Sequence, residues 1–99
     1  MAKFDVRQLR DEPTLVVEYQ VDFLSVLDTR FVIPLMQADG LVIPSARLNP
    51  VVEFGGKQYA VYPQGAANVD THELGNIIGS LAEHDLTIGN ALDMLISGF

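Results

Sequence analysis

The chain has no cysteine, few basic residues and no long apolar run. Without cysteine there is no disulfide to staple a small fold. The two histidines, His72 and His84, stand twelve residues apart, with neither the HxxxH nor the HExxH spacing that would converge ligands on a metal. The reading is two solvated turn histidines, no metal and no cofactor. Six Lys and Arg stand against 13 Asp and Glu, a net charge of −7. Such a surface repels phosphate backbones, which argues against general nucleic-acid binding. No apolar stretch approaches the ~20 residues of a membrane helix. The first residues, Met1 to Glu12, contain no apolar core of a signal peptide. The expectation is a cytoplasmic protein without membrane attachment. Glycine-rich phosphate loops are missing as well: Gly55-Gly56 lacks the GxxxxGK pattern and a following helix.

What is present is one domain, 1–99, with a hydrophobic content of 48 %. A chain of this length buries only about 60–65 % of its unfolded surface. With neither disulfide nor structural metal, a second subunit is the expected remedy, so a homodimer is predicted. Pro, Gly and Asp punctuate the first three quarters at intervals that suit short strands joined by turns. Phe4-Asp5-Val6 opens a strand, and Asp11-Glu12-Pro13 makes a turn. Leu15, Val17, Tyr19 and Val21 then alternate with Thr14, Val16, Glu18 and Gln20, a period-2 pattern of strand. Phe31 to Leu35 is a short apolar run whose Pro34 marks an edge, a bulge or a strand end. Leu41-Val42-Ile43, stopped by Pro44, reads as another short strand; the segment from Gln37 to Leu48 is otherwise left unassigned.

Gly55-Gly56 suits the positive φ angles of a two-residue hairpin turn. That turn sets a register in which Phe54 faces Lys57, Val52 faces Tyr59 and Val51 faces Ala60, with Val52, Phe54, Tyr59 and Val61 supplying core surface. Pro63-Gln64-Gly65 ends the hairpin. From Glu73 to Ala82 the spacing of Leu74, Ile77, Ile78 and Leu81 is helical, but Gly75 and Gly79 would each cost a helix about 1 kcal/mol. The segment reads as an irregular strand or a short helical turn. Ile88, Ala91, Leu92, Leu95 and Ile96 form one stripe of a closing amphipathic helix, with Asp85 as N-cap and Gly98 at its end. The fold class is mainly β with a C-terminal α-helix.

Three places invite a functional reading. Asp70, Glu73, Glu83 and Asp85 neighbour the histidines, as carboxylates do on any acidic surface. Thr29-Arg30 precedes an apolar strand, where an Arg binds an anion or makes a surface ion pair; the ion pair is the simpler expectation. Ser97-Gly98-Phe99 follows the helix stripe, and an exposed Phe99 would forgo about 2 kcal/mol of burial. It should be covered by the body of the domain, a second subunit or a partner.

In order and spacing these segments resemble the CcdB family of toxin–antitoxin toxins. The matching stretches are Phe4-Asp5-Val6, Val17-Glu18-Tyr19-Gln20-Val21-Asp22, Thr29-Arg30-Phe31-Val32-Ile33-Pro34-Leu35, Asn49-Pro50-Val51-Val52, Leu74-Gly75, and Ala91-Leu92-Asp93-Met94-Leu95 followed by Gly98. The resemblance implies a small SH3-like antiparallel barrel of the CcdB/MazF type, and a homodimer. It implies a toxin of a type II module that serves plasmid maintenance and is not an enzyme. Such a toxin binds the DNA gyrase A subunit and inhibits the topoisomerase by holding one state of its cycle. A CcdA-like antitoxin, which folds on binding, neutralises it, and DNA is touched only indirectly through that complex. The gyrase-binding positions implied are Phe23, Leu24, Asp93, Ile96, Ser97, Gly98 and Phe99. One departs from the family pattern: a tryptophan that stacks on a gyrase arginine is replaced by Ser97, which has no ring, so a contact of about 0.5–2 kcal/mol is absent. Two other readings stay open. One is a MazF-like endoribonuclease of the same fold, with Thr29 and Arg30 as the catalytic pair. The other is a non-toxic homologue that binds only the antitoxin.

Overall fold

The computed structural model describes residues 4–19, 29–38 and 47–97. Its strands are β1 (Asp5–Leu9), β2 (Leu15–Glu18), β3 (Thr29–Gln37), β4 (Val51–Phe54), β5 (Lys57–Val61), β6 (Ala67–Asp70) and β7 (Leu74–Ser80), and α1 (Asp85–Ser97) closes the order. All pairings are antiparallel, in the order β4-β5-β3-β2-β1-β7, with β6 beside the first half of β3. The predicted strand beginning at Leu41 lies outside the described residues.

The hairpin register follows from its glycines. Gly55 and Gly56 have φ of +61° and +81°, and Phe54 pairs Lys57, Val52 pairs Tyr59 and Val51 pairs Ala60, as predicted. Arg10 to Pro13 turns the chain between β1 and β2, closed by the Leu9 N–H donating to the Thr14 carbonyl at 3.0 Å. Residues 63–65 form a short 3-10 turn that ends β5.

Pro34 corrects an expectation. It sits in the middle of nine-residue β3, not at an edge, bulge or end. In a strand, N and C=O of one residue point to the same side. The Pro34 carbonyl accepts from Tyr62 N–H at 3.0 Å, so its nitrogen faces the side where β6 gives way to β5. Its missing donor falls in the gap between two partner strands, so no ladder bond is lost.

Of the two readings left open for 73–82, an irregular strand or a short helical turn, β7 is the strand. Its pairing with β1 shifts register twice, between Val6 and Arg7 and between Arg7 and Leu9. Arginines of the first strand and turn satisfy carbonyls at its irregular start: Arg7 Nη1 donates to Gly75 O at 2.8 Å, and Arg10 Nε to Leu74 O at 3.1 Å. The sheet curls into a half-barrel whose ends approach: a Cβ on Gly79 of β7 would lie 2.5 Å from the Phe54 ring of β4.

Phe4, Val6, Val17, Ile33, Leu35, Val52, Val61, Leu81 and Ile88 fill the concave side, with Phe54 and Tyr59 packed against them. Val16, Val32 and Leu74 form a smaller cluster on the opposite face of β2 and β3. Both faces of β2 are therefore covered, which leaves Glu18 at 2 % exposure. Phe4 has φ of +72°, a left-handed conformation that is costly for a residue with a Cβ. Its N–H donates to Glu18 O (2.6 Å) and its carbonyl accepts from Leu81 N–H (2.9 Å), while its ring meets the Tyr19 ring edge-on at 5.4 Å.

α1 differs from its predicted form in two respects. Asp85 is not the N-cap, because a 3-10 turn over 82–84 runs into the helix and Asp85 already has helical angles (φ −60°, ψ −41°). Ser80 Oγ instead accepts from Ala82 N–H at 3.1 Å. The apolar stripe is also only partly covered: Ile88 and Ala91 are fully buried, but Leu95 is 42 % and Ile96 77 % exposed. The last turn is thus the least covered part of the stripe.

Candidate functional site

Two features stand out from the scaffold: a buried charge cluster and the exposed end of α1. The cluster follows from strand alternation. Val6, Val17 and Ile33 point to the main core, so Arg7, Glu18 and Arg30 point together to the other side. Arg7 Nε donates to Glu18 Oε2 at 2.8 Å, and Arg30 Nε lies 3.7 Å from Oε1. Arg30 Nη1 also donates to the Thr29 carbonyl at 2.8 Å. The surface ion pair expected of Arg30 is thus a buried one. The side chains of Thr29 and Arg30, adjacent on a strand, leave opposite faces of β3, and Thr29 is exposed while Arg30 is buried. They do not converge as a catalytic pair must.

Sequence reasoning missed this cluster. Its signal was present: Glu18 follows Val16, and Arg30 precedes Val32, on the same faces of their strands. Charges interleaved with valines on an apolar face imply mutual pairing, because an unpaired buried charge is costly.

Of the implied binding residues, the structure brings Asp93, Ile96 and Ser97 together at the end of α1, all exposed. Phe23, Leu24, Gly98 and Phe99 lie outside the described residues. Ser97 Oγ donates to the Asp93 carbonyl one turn back, at 2.7 Å, so its hydroxyl is engaged within the helix. A groove of ≈ 560 Å³ runs beside this end, with Thr87, Asn90, Asp93, Met94 and Ser97 as one wall and Arg47 and Pro50 as the other. The second wall is pinned by Asn49, which is fully buried. Its amide donates to Val61 O at 3.1 Å and to Gln64 Oε1 at 2.9 Å.

On the next face of the helix the Tyr19 hydroxyl lies 3.1 Å from where a Cβ on Gly89 would stand. Burial pushes the Tyr19 phenol above its ordinary value, and the carboxylates of Asp93 and Asp85 push it further the same way.

The histidines take no part. Exposed His72 caps a short turn with Asp70: its backbone N–H and its ring Nδ1 lie 2.9 and 2.8 Å from Asp70 Oδ1. These bonds hold the Asp70 carboxyl below its ordinary value. His84 Nε2 is 3.8 Å from Glu83 Oε1. Among the described residues no group of three His, Asp or Glu is placed to hold a metal. No helix there is long and apolar enough to cross a membrane.

No curated protein shows significant similarity to the chain. The family model described as CcdB protein matches residues 3–98, nearly the whole length, and a half-barrel closed by one helix is the architecture that resemblance implied. The chain therefore belongs to the CcdB family, whose members are the toxin half of toxin–antitoxin pairs.

Proposed function

We propose that this toxin acts by binding the DNA gyrase A subunit with the end of α1, and that a CcdA-like antitoxin neutralises it. The observation that supports the reading is the uncovered end of the helix, where Ile96 is 77 % exposed beside Asp93 and Ser97. A large apolar side chain on the last turn of a helix, ringed by polar groups, is the composition of a contact surface. The family resemblance adds Phe23, Leu24, Gly98 and Phe99 to the residues proposed to bind gyrase. The protein works as a cytoplasmic homodimer, since a core this thin gains from a second subunit. No bond is made or broken; the toxin holds one state of the topoisomerase cycle. Serine at position 97 removes a stacking contact of about 0.5–2 kcal/mol, so binding is weaker than with an aromatic residue there. Arg30 is buried against Glu18, which argues against an endoribonuclease that would need its guanidinium at the substrate.

Capture of a purified gyrase A fragment tests this, with wild type, with Ile96→Ser and with residues 97–99 deleted. Capture by wild type that fails with both variants is the expected result. Capture by none, with antitoxin binding intact, refutes the gyrase reading and leaves an antitoxin-binding homologue. Ser97→Trp should bind about tenfold more tightly, the equivalent of one stacking contact.

A further inference from the structure

Gly89 lies inside α1, where glycine is the poorest helix former after proline. Its φ is not positive, so the backbone there accepts any side chain. Space accounts for the glycine instead. The Tyr19 hydroxyl lies 3.1 Å from where a Cβ would stand, so with any side chain either the oxygen or the helix must give way. Burial raises the phenol pKa first, and the carboxylates of Asp93 and Asp85, one turn either side of Gly89, raise it further, as an oxygen set on that face between them requires.

The tyrosine is itself braced. Its N–H donates to Phe31 O at 2.9 Å, and its ring meets the Phe4 ring edge-on at 5.4 Å. Phe4 holds a left-handed φ of +72°, a strain that persists only where the surroundings over-determine it. They do so here: its N–H donates to Glu18 O (2.6 Å) and its carbonyl accepts from Leu81 N–H (2.9 Å). Leu81 immediately precedes the turn that runs into α1. The entry to the helix and the tyrosine against its middle are therefore both gauged from one residue. On its other flank α1 faces Arg47 and Pro50 across the groove, with Thr87 and Met94 on the helix side.

We propose that Tyr19 is a positioning residue for the end of α1: braced by Phe4 and seated against Gly89, its hydroxyl fixes how closely the helix lies on the sheet, and so where Asp93, Ile96 and Ser97 are presented. The consequence for binding rests on the gyrase reading; the position of the helix does not.

Four full-length proteins test this: wild type, Gly89→Ala, Tyr19→Phe and the double variant. Removing the phenol oxygen opens the space that the alanine methyl takes, so the methyl should matter only while the oxygen is there. Heteronuclear amide spectra read the helix without a partner. Gly89→Ala should displace the signals of residues 94–97, beyond the turn that carries the substitution, in the tyrosine background and not in the phenylalanine one. Tm should stay within about 4 °C, since the helix gain of alanine opposes the strain. Capture of purified gyrase A fragment should weaken about three- to tenfold with Gly89→Ala, and less than about twofold when the same change is made on Tyr19→Phe. A tyrosine that is merely packed would yield to the methyl; the signals of 94–97 would then stay in place and overturn the proposal. Equal displacement in both backgrounds would overturn it too, because alanine and not the oxygen would be the cause. So would a larger fall in Tm, which would mean the helix is unseated and not moved. Wild type that captures no gyrase A refutes the gyrase reading alone, since the amide signals still decide what sets the helix.

Discussion

Gly79→Ala should destabilise the protein, although replacing glycine by alanine in a strand normally does the reverse. Gly79 is not among the glycines with positive φ, which are Gly55 and Gly56, so its backbone accepts a side chain. At such positions alanine gains about 0.4–1 kcal/mol by restricting the unfolded chain. Here the new methyl would fall 2.5 Å from Cε1 and Cζ of Phe54, well inside van der Waals contact. The ring packs against the main core, so moving it aside to admit the methyl disturbs that packing. Overpacking of this kind costs about 1–3 kcal/mol, and a net loss of about 2 kcal/mol lowers Tm by roughly 8–16 °C for a domain of this size. Phe54→Ala removes the obstacle at its own cost. In that background Gly79→Ala should be neutral or stabilising by up to about 0.5 kcal/mol, a coupling of roughly 2 kcal/mol across the two ends of the sheet. Urea unfolding followed by circular dichroism at one protein concentration measures all four variants. A neutral Gly79→Ala in the wild-type background, or a penalty that persists without the ring, would show that β4 does not close over β7.

Three further outcomes follow from other parts of the fold. Glu18→Gln leaves Arg7 and Arg30 facing each other without their shared carboxylate, and should cost about 3 kcal/mol in urea unfolding; a loss under about 1 kcal/mol would mean the cluster is open to water. Ile88→Ala, at a fully buried site, should cost about 2–5 kcal/mol, whereas Ile96→Ala should stay within about 0.5 kcal/mol; equal costs would place the end of α1 against the sheet. Tyr19 has its phenol pKa raised above 10.0 in the fold, by burial first and then by Asp93 and Asp85. The neutral form is the one the fold favours, so this contribution is full below the unfolded pKa and lost as pH rises through the folded value. Phenolate absorbance should therefore show one tyrosine titrating late, absent in Tyr19→Phe and shifted down by Asp93→Asn; a late step unchanged by Asp93→Asn would remove Asp93 from the causes and leave burial and Asp85.

Much of the architecture was legible because its causes are local. The Gly55-Gly56 turn permits one register, and residues 51–54 and 57–61 had to pair as they do. Period-2 alternation marked β2, and the Ile88-to-Ile96 spacing marked α1. Pro34 was misread because its placement depends on two strands that come later in the chain. Only once β5 and β6 divide the flank of β3 between them does a residue without a donor become harmless in mid-strand. Asp85 was misread for a smaller reason: the turn over 82–84 runs straight into the helix and leaves Asp85 inside it with helical angles.

The candidate site divides in the same way. That the helix end is special could be read from Ser97-Gly98-Phe99 and the family resemblance, since a helix that finishes on apolar residues must find them a cover. Which side chains stay uncovered could not be read there. Leu92 and Ile96 occupy neighbouring positions of one apolar stripe, yet one is half-buried and the other exposed. The sequence by itself determined β2, the hairpin and its register, the closing helix and the family, because each rests on contacts between residues near in the chain or on ordered motifs; β6 was not read from it, and β7 stayed open between strand and helical turn, because both form only by pairing with distant strands. Only the tertiary structure decided that Arg30 faces inward to Glu18 and that the last turn of α1 keeps Leu95 and Ile96 exposed. Burial is a property of what the other strands happen to cover, and no residue carries that information alone.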